Sequence, residues 1–117
     1  MLDCDSACLV AYMLAKGEIK RLYEAGDWRR LAMKVVATNL LSDVSYVMLA
    51  VAAEKLGYVD SARSYYRRAM EARTQERLRC EGRFVDLCDG IATASLAEDG
   101  LARLADQTGA LSEAPAQ

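Results

Sequence analysis

The chain has no histidine. That absence excludes Ser-His-Asp and Cys-His catalysis and most catalytic zinc sites, which depend on imidazole. Proline occurs once, at Pro115, and glycine seven times in 117 residues, too few for an all-β chain cut by many turns. Aromatic residues make up only 7%. No apolar run approaches the roughly 18 residues that a membrane span needs, and the longest candidate, 44–53, is short and contains Ser45. The N-terminus has no basic region followed by a long apolar stretch, so no signal peptide is expected in the sequence as it stands. A mature secreted chain with an added Met1 would read the same. Neither charge sign dominates: 15 basic against 17 acidic residues give a net charge of -2, which excludes nucleic-acid binding by bulk charge. With 53% hydrophobic and 27% charged residues, global disorder is excluded as well.

What remains is a chain rich in alanine, the strongest helix former and a residue small enough to bring helices close. Apolar residues recur at helical spacing. The first helix is expected over 6–25, with Leu9, Tyr12, Met13, Ile19, Leu22 and Tyr23 in phase, a bend at Gly17 and a stop at Gly26. Asp27 is expected to cap a second helix over 28–41, with Leu31, Ala32, Val35, Val36 and Leu40 as its apolar positions. Ser42 or Asp43 starts a third over 44–56, and Gly57 stops it. Asp60 starts a fourth running to about residue 79. A break near 81–82 precedes weaker helices over 84–96 and 101–107. Small polar residues from 109 to 117 read as a disordered tail, leaving one domain over 1–108. Gly26 and Gly57 lie 31 residues apart, each between two helices, a period in the range of helical repeats.

The second of these units, 44–72, resembles a tetratricopeptide repeat. Tyr46 stands at the family's bulky aromatic position, Leu49 and Ala50 at its Leu–small pair, and Gly57 at its turn glycine. Ala62, Tyr66 and Ala69 match the small, aromatic and small positions of its second helix. Ala53 replaces the family's mid-helix tyrosine and Thr74 its closing proline. The first unit, 12–39, matches more loosely through Leu22, Gly26, Trp28 and Val35. Sel-like repeats share this hairpin. The resemblance implies an all-α fold of about five helices, stacked as antiparallel hairpins in a short right-handed α-solenoid with a C-terminal capping helix. A generic four- or five-helix bundle is the alternative. The resemblance also implies a concave groove lined by Val44, Val47, Val51, Glu54 and Lys55 from the good unit and by Met13, Lys16, Lys20, Tyr23 and Glu24 from the loose one. Such a groove takes an extended peptide or an amphipathic helix, unless the N-terminal segment or a second copy covers it.

Four cysteines, Cys4, Cys8, Cys80 and Cys88, sit in pairs spaced C-x3-C and C-x7-C. Local disulfides are expected, with Cys80–Cys88 closing a loop around Gly82. Pairing across the two ends, four reduced thiols, or a zinc site are the alternatives. No C-x-x-C motif supports redox catalysis. Disulfides imply an oxidising compartment, and by analogy the soluble part of a bacterial envelope lipoprotein, periplasmic or outer-membrane-associated; no lipobox precedes Cys4. Reduced cysteines instead imply a cytosolic adaptor.

Residues 59–83 carry Arg63, Arg67, Arg68, Arg73, Arg77, Arg79 and Arg83 against four acids, whereas 84–117 carry one arginine against six acids. This reads as a solvated helix exterior, or else as a face for an acidic partner. Asp86 and Asp89, and Asp3 and Asp5, are spaced like ordinary surface acids, and Gly82, Gly90 and Gly100 are scattered turn residues rather than a phosphate loop. No catalytic residues, metal or cofactor are therefore expected. The sequence points to a protein- or peptide-binding module, or to a structural subunit acting by homo-oligomerisation, with no membrane span and no nucleic-acid partner.

Overall fold

The computed structural model describes residues 5–81, 86–105 and 107. The described residues are helical apart from turns and a single bridge pair, Glu81 with Asp86. Five α-helices follow in order: α1 Asp5–Ala25, α2 Trp28–Thr38, α3 Asp43–Leu56, α4 Val59–Arg73 and α5 Thr93–Leu104. Each packs on its successor, and α5 also touches α3. The expected tail 109–117 lies outside the described residues.

The two α-hairpins, α1–α2 and α3–α4, close alike. Gly26 (φ 73°) and Gly57 (φ 95°) adopt the left-handed conformation that glycine takes without a Cβ penalty. Past each, a backbone N–H reaches five residues back, from Asp27 to the Leu22 carbonyl (3.0 Å) and from Tyr58 to the Ala53 carbonyl (2.8 Å). Each next helix then opens with the same bond, Leu31 to Asp27 and Ala62 to Tyr58, both 2.9 Å. Every one of these pairs is offset by 31 residues, and Leu31 and Ala62 are equally buried. The interval read from the glycines is thus a repeat of backbone geometry.

Other expectations change. Gly17 does not interrupt α1. Helix α2 ends at Thr38 rather than 41, because Asn39 turns left-handed (φ 58°). Asp27 makes no side-chain cap bond, and α4 starts at Val59, so Asp60 lies inside its first turn, where it accepts from Arg63. Helix α3 has the real cap: Ser42 and Ser45 form a reciprocal capping box that satisfies two otherwise orphaned donors. Helix α4 stops at Arg73, and a short 3-10 turn, Glu76–Leu78, follows.

The expected pair of C-terminal helices is one helix. Residues 86–91 form a loop in which Asp89 (φ 52°) and Gly90 (φ 85°) turn the chain, and α5 then runs through Gly100 without a break. Gly100 is a close-approach glycine. A Cβ there would fall inside the Tyr66 ring of α4, 2.8 Å from Cδ2 and nearer still to Cε2 and Cζ.

The core has two parts. Around the first hairpin, Tyr12, Ile19, Leu31, Val35, Val44 and Met48 gather with Cys80, Leu87 and Cys88. Around the second, Val47, Ala50, Ala62, Tyr66 and Ala69 gather with Ala97 and Leu104 of α5. The alanines allow the helices close approach, and Tyr66 fills the space they leave.

Candidate functional site

The carboxylate of Asp43, the first residue of α3, is fully buried (0% exposed). Oδ1 accepts from the backbone N–H of Val44 and of Cys80, each at 2.7 Å. Oδ2 accepts from Arg73 Nη1 at 2.7 Å and from the Thr93 hydroxyl at 3.0 Å. Arg73 also donates to Thr93 and to Glu81. These bonds, chiefly the one to Glu81, raise the pKa of Arg73, and the same bond lowers that of Glu81. One carboxylate thus ties together α3, the end of α4, the segment at 80 and the start of α5.

Cys80 and Cys88 form a disulfide, with their Cα atoms 4.9 Å apart. Local pairing is therefore what this pair adopts. Cys8 is buried and also disulfide-bonded; Cys4 lies outside the described residues. The loop is braced further by the Leu87 N–H on the Cys80 carbonyl and by the Cys88 N–H on Asp86 Oδ1, both at 2.9 Å. Cys80, Glu81 and Cys88 place their ligand-type atoms within 4.8 Å of one another. With both sulfurs joined, that group offers a metal one exposed carboxylate and no thiolate.

The expected groove residues do not share an open surface. Val44, Val47 and Val51 are buried in the core. Glu54 is an anchor for α5: it accepts from Arg103 Nε and Nη2 at 2.6 and 2.8 Å and from the Tyr66 hydroxyl at 2.8 Å. The Arg103 bonds hold its carboxyl below the ordinary range, and burial together with Glu54 pushes the Tyr66 phenol up. Lys55 and Glu24 are exposed. Lys16 donates to the Asp86 carbonyl at 3.3 Å, and Lys20 lies beside Gly90. Tyr23 meets Trp28 edge to face with centroids 6.0 Å apart, and Met13 is partly exposed. The physical reason is packing on two sides of α3. Val44 packs with Cys80, Leu87 and Cys88, and Val47 and Val51 pack with Tyr66 of α4 and Ala97 and Leu104 of α5.

The arginine series also divides. Arg63 donates to the Leu104 and Gln107 carbonyls at 2.8 and 2.9 Å, closing the C-terminus of α5. Arg73 serves the Asp43 network, and Arg79 Nε donates to the Arg73 carbonyl at 2.7 Å. Arg67, Arg68 and Arg77 are solvent-exposed, and Arg83 lies outside the described residues. No continuous basic face is left for an acidic partner among the described residues.

The exposed large hydrophobics are elsewhere. Leu9, Val10, Met13 and Leu14 are on α1, Met33 and Val36 on α2, and Leu41 just beyond it. Leu14 is 83% exposed and Met33 68%. None is on α3, α4 or α5. Sequence reasoning missed most of them as surface residues. The available signal was phase: Val10, Leu14 and Met33 fall outside the apolar series of their own helices, so a core cannot use them.

Comparison with family models, with curated proteins and with solved structures finds no match.

Proposed function

We propose that this chain is a non-enzymatic protein-interaction or assembly module, a short helical-repeat domain of tetratricopeptide type that works in an oxidising compartment such as the bacterial periplasm or cell envelope. The observation that carries the reading is that, among the described residues, the large exposed apolar side chains lie on α1, α2 and the α2–α3 connection. Contiguous apolar surface of this kind marks interaction sites. The docking face is the outer face of the first hairpin; its inner residues Tyr12 and Ile19 already pack with Cys80, Leu87 and Cys88.

The 31-residue offset of the two hairpin closures supports the repeat part of the proposal. It is shorter than the family's period of about 34 residues, so the kinship lies in the hairpin unit. In this reading α5 caps a right-handed stack. The bonded cysteines support the compartment, since such bonds persist where glutathione does not reduce them.

A photo-crosslinking benzophenone amino acid in place of Met33 tests the docking face, with one in place of Arg67 on α4 as control. In cells making the protein, irradiation is expected to join position 33, but not position 67, to a protein chain. Equal yields from both positions would remove the docking face.

A further inference from the structure

We infer that the occupant of this face is a second copy of the chain, seated across a two-fold axis with α1 antiparallel to the partner's α1. The inference rests on the docking face proposed above and names its partner.

Helix α1 has 21 residues and α2 has 11, so at 1.5 Å per residue they are about 31 and about 16 Å long. The N-terminal half of α1 therefore runs past much of the helix it pairs with. Its inner side carries Cys8, Tyr12 and Ile19, all buried. Its outer side carries Ala7, Val10, Leu14 and Gly17, all exposed. The Glu18–Lys34 ion pair, 3.0 Å long, fixes how the two helices lie side by side. Met33 of α2 and Leu41 just beyond it are also exposed, at 68% and 51%.

Three properties of this face suit a copy of itself. The first is area. Leu14, Met33, Val36 and Val10 are 83%, 68%, 58% and 51% exposed, which gives apolar surface on the order of a few hundred Å² to set against the roughly 800 Å² that each partner of a stable dimer buries.

The second is sequence symmetry. An isologous interface requires that residue i meet j and j meet i. Positions 7, 10, 14 and 17 read small, bulky, bulky, small, which is a palindrome about residue 12. Antiparallel pairing about that point sets Ala7 opposite Gly17 and Val10 opposite Leu14 on both sides of the axis.

The third is charge. Between Ala7 and Gly17 the stripe carries no charge; at its end Glu18 pairs with Lys34, and Arg21 Nη1 lies 3.8 Å from the Cβ position of Gly17. Closure over Val10 and Leu14 therefore buries no charge, the costliest item in an interface.

Sedimentation of the full chain with its disulfides intact tests this. Over about a hundredfold range of concentration, the mass is expected to rise to twice the 12.8 kDa chain mass. Leu14→Glu, which sets two like charges together at the axis, is expected to weaken the dimer about 100-fold or more. Arg67→Glu on α4 is expected to leave it unchanged. Leu14 is 83% exposed, so its substitution spares the fold, and an unchanged far-ultraviolet circular dichroism spectrum checks that. A monomer at every concentration, or a dimer indifferent to Leu14→Glu, would overturn the inference. The crosslinker at position 33 separates the two proposals. An adduct of twice the chain mass supports the second copy. An adduct with a different protein, on a chain that sediments as a monomer, overturns the second copy and leaves the docking face standing. Yields equal to those from position 67 overturn both.

Discussion

Replacing Asp43 by alanine removes the acceptor on which four segments converge. The carboxylate is wholly buried, so its loss cannot be made good by bulk water. The Cys80 N–H is stranded in a residue that is itself 0% exposed, and an unsatisfied buried donor costs about 1–3 kcal/mol. Thr93 loses an acceptor in an equally dry place, although it still accepts from Arg73 at 2.8 Å. Arg73 loses its shortest ion pair but keeps Glu81 at 3.2 Å and partial access to water, so its share is the smallest. Together these terms give a loss of about 3–5 kcal/mol, the range seen when one partner of a buried pair is deleted. That is a large part of the 5–15 kcal/mol available to a domain. Urea unfolding followed at 222 nm, with the disulfides intact, measures it. Asp43→Asn keeps one oxygen for the Val44 and Cys80 amides and should cost about half as much. Hydrogen exchange at the Cys80 amide should accelerate more than at Ala50 in mid-α3. A loss below about 1 kcal/mol for Asp43→Ala, or equal acceleration at both amides, would refute the claim that this carboxylate holds the loop to the helices.

Two glycine-to-alanine substitutions in helices should have opposite signs. Gly17→Ala, where a Cβ meets only Arg21 Nη1 at 3.8 Å within the single chain, should stabilise the dilute monomer by about 0.5–1 kcal/mol through helix propensity. Gly100→Ala should destabilise by about 1–3 kcal/mol because its methyl group enters the Tyr66 ring; thermal melts of both variants decide it. Glu54 has a folded-state pKa below its ordinary 4.5. Its stabilising share is therefore present in full above about pH 4.5 and disappears as pH falls through the folded value. The stability gap between wild type and Glu54→Gln should be widest at neutral pH and shrink towards pH 3, and a gap constant with pH would contradict the assignment. Replacing Cys80 and Cys88 together by serine reopens a short loop, worth about 2.5 kcal/mol on the chain-entropy account. Denaturant titration of that double variant checks the figure.

The hairpins were legible because their signals are local. Gly26 and Gly57 end helices through their own backbone freedom, and apolar phase marks the inner faces. Asp43 was legible only as a helix start, since its partners stand 30, 37 and 50 residues away. An acid at the first position of a helix is ordinary in any sequence. Gly100 was misread for a different reason. Glycine serves turns through its dihedral freedom and serves close helix contacts through its missing Cβ, and the second use needs a partner, Tyr66, 34 positions away. The burial of the groove valines was hidden on the same ground. Val44 meets Cys80, Leu87 and Cys88, and Val47 and Val51 meet Tyr66, Ala97 and Leu104, all of them distant in sequence.

The two ends of the helix series are finished unequally. At the C-terminal end, α5 is held by Arg103 on Glu54, by the ring of Tyr66 against Gly100, and by Arg63 on the Leu104 carbonyl. Its outward residues Glu98, Asp99, Ala102 and Arg103 are exposed and largely charged, as the closing element of a helical repeat should be. At the N-terminal end the outward residues Val10, Leu14 and Met33 are apolar. On the helical-repeat reading proposed above, polar caps are needed at both ends, and among the described residues only the α5 end has one. Giving α1 the outer face of α5 is the direct way to separate folding from assembly. Val10→Glu combined with Leu14→Lys places an i, i+4 ion pair on the bare helix face. The pair should leave the melting temperature of the dilute chain within about 2 °C while abolishing concentration-dependent sedimentation. A fall in stability of several kcal/mol in the dilute chain would mean that these side chains belong to the fold of the single chain, and the open end would lose its standing as an assembly surface.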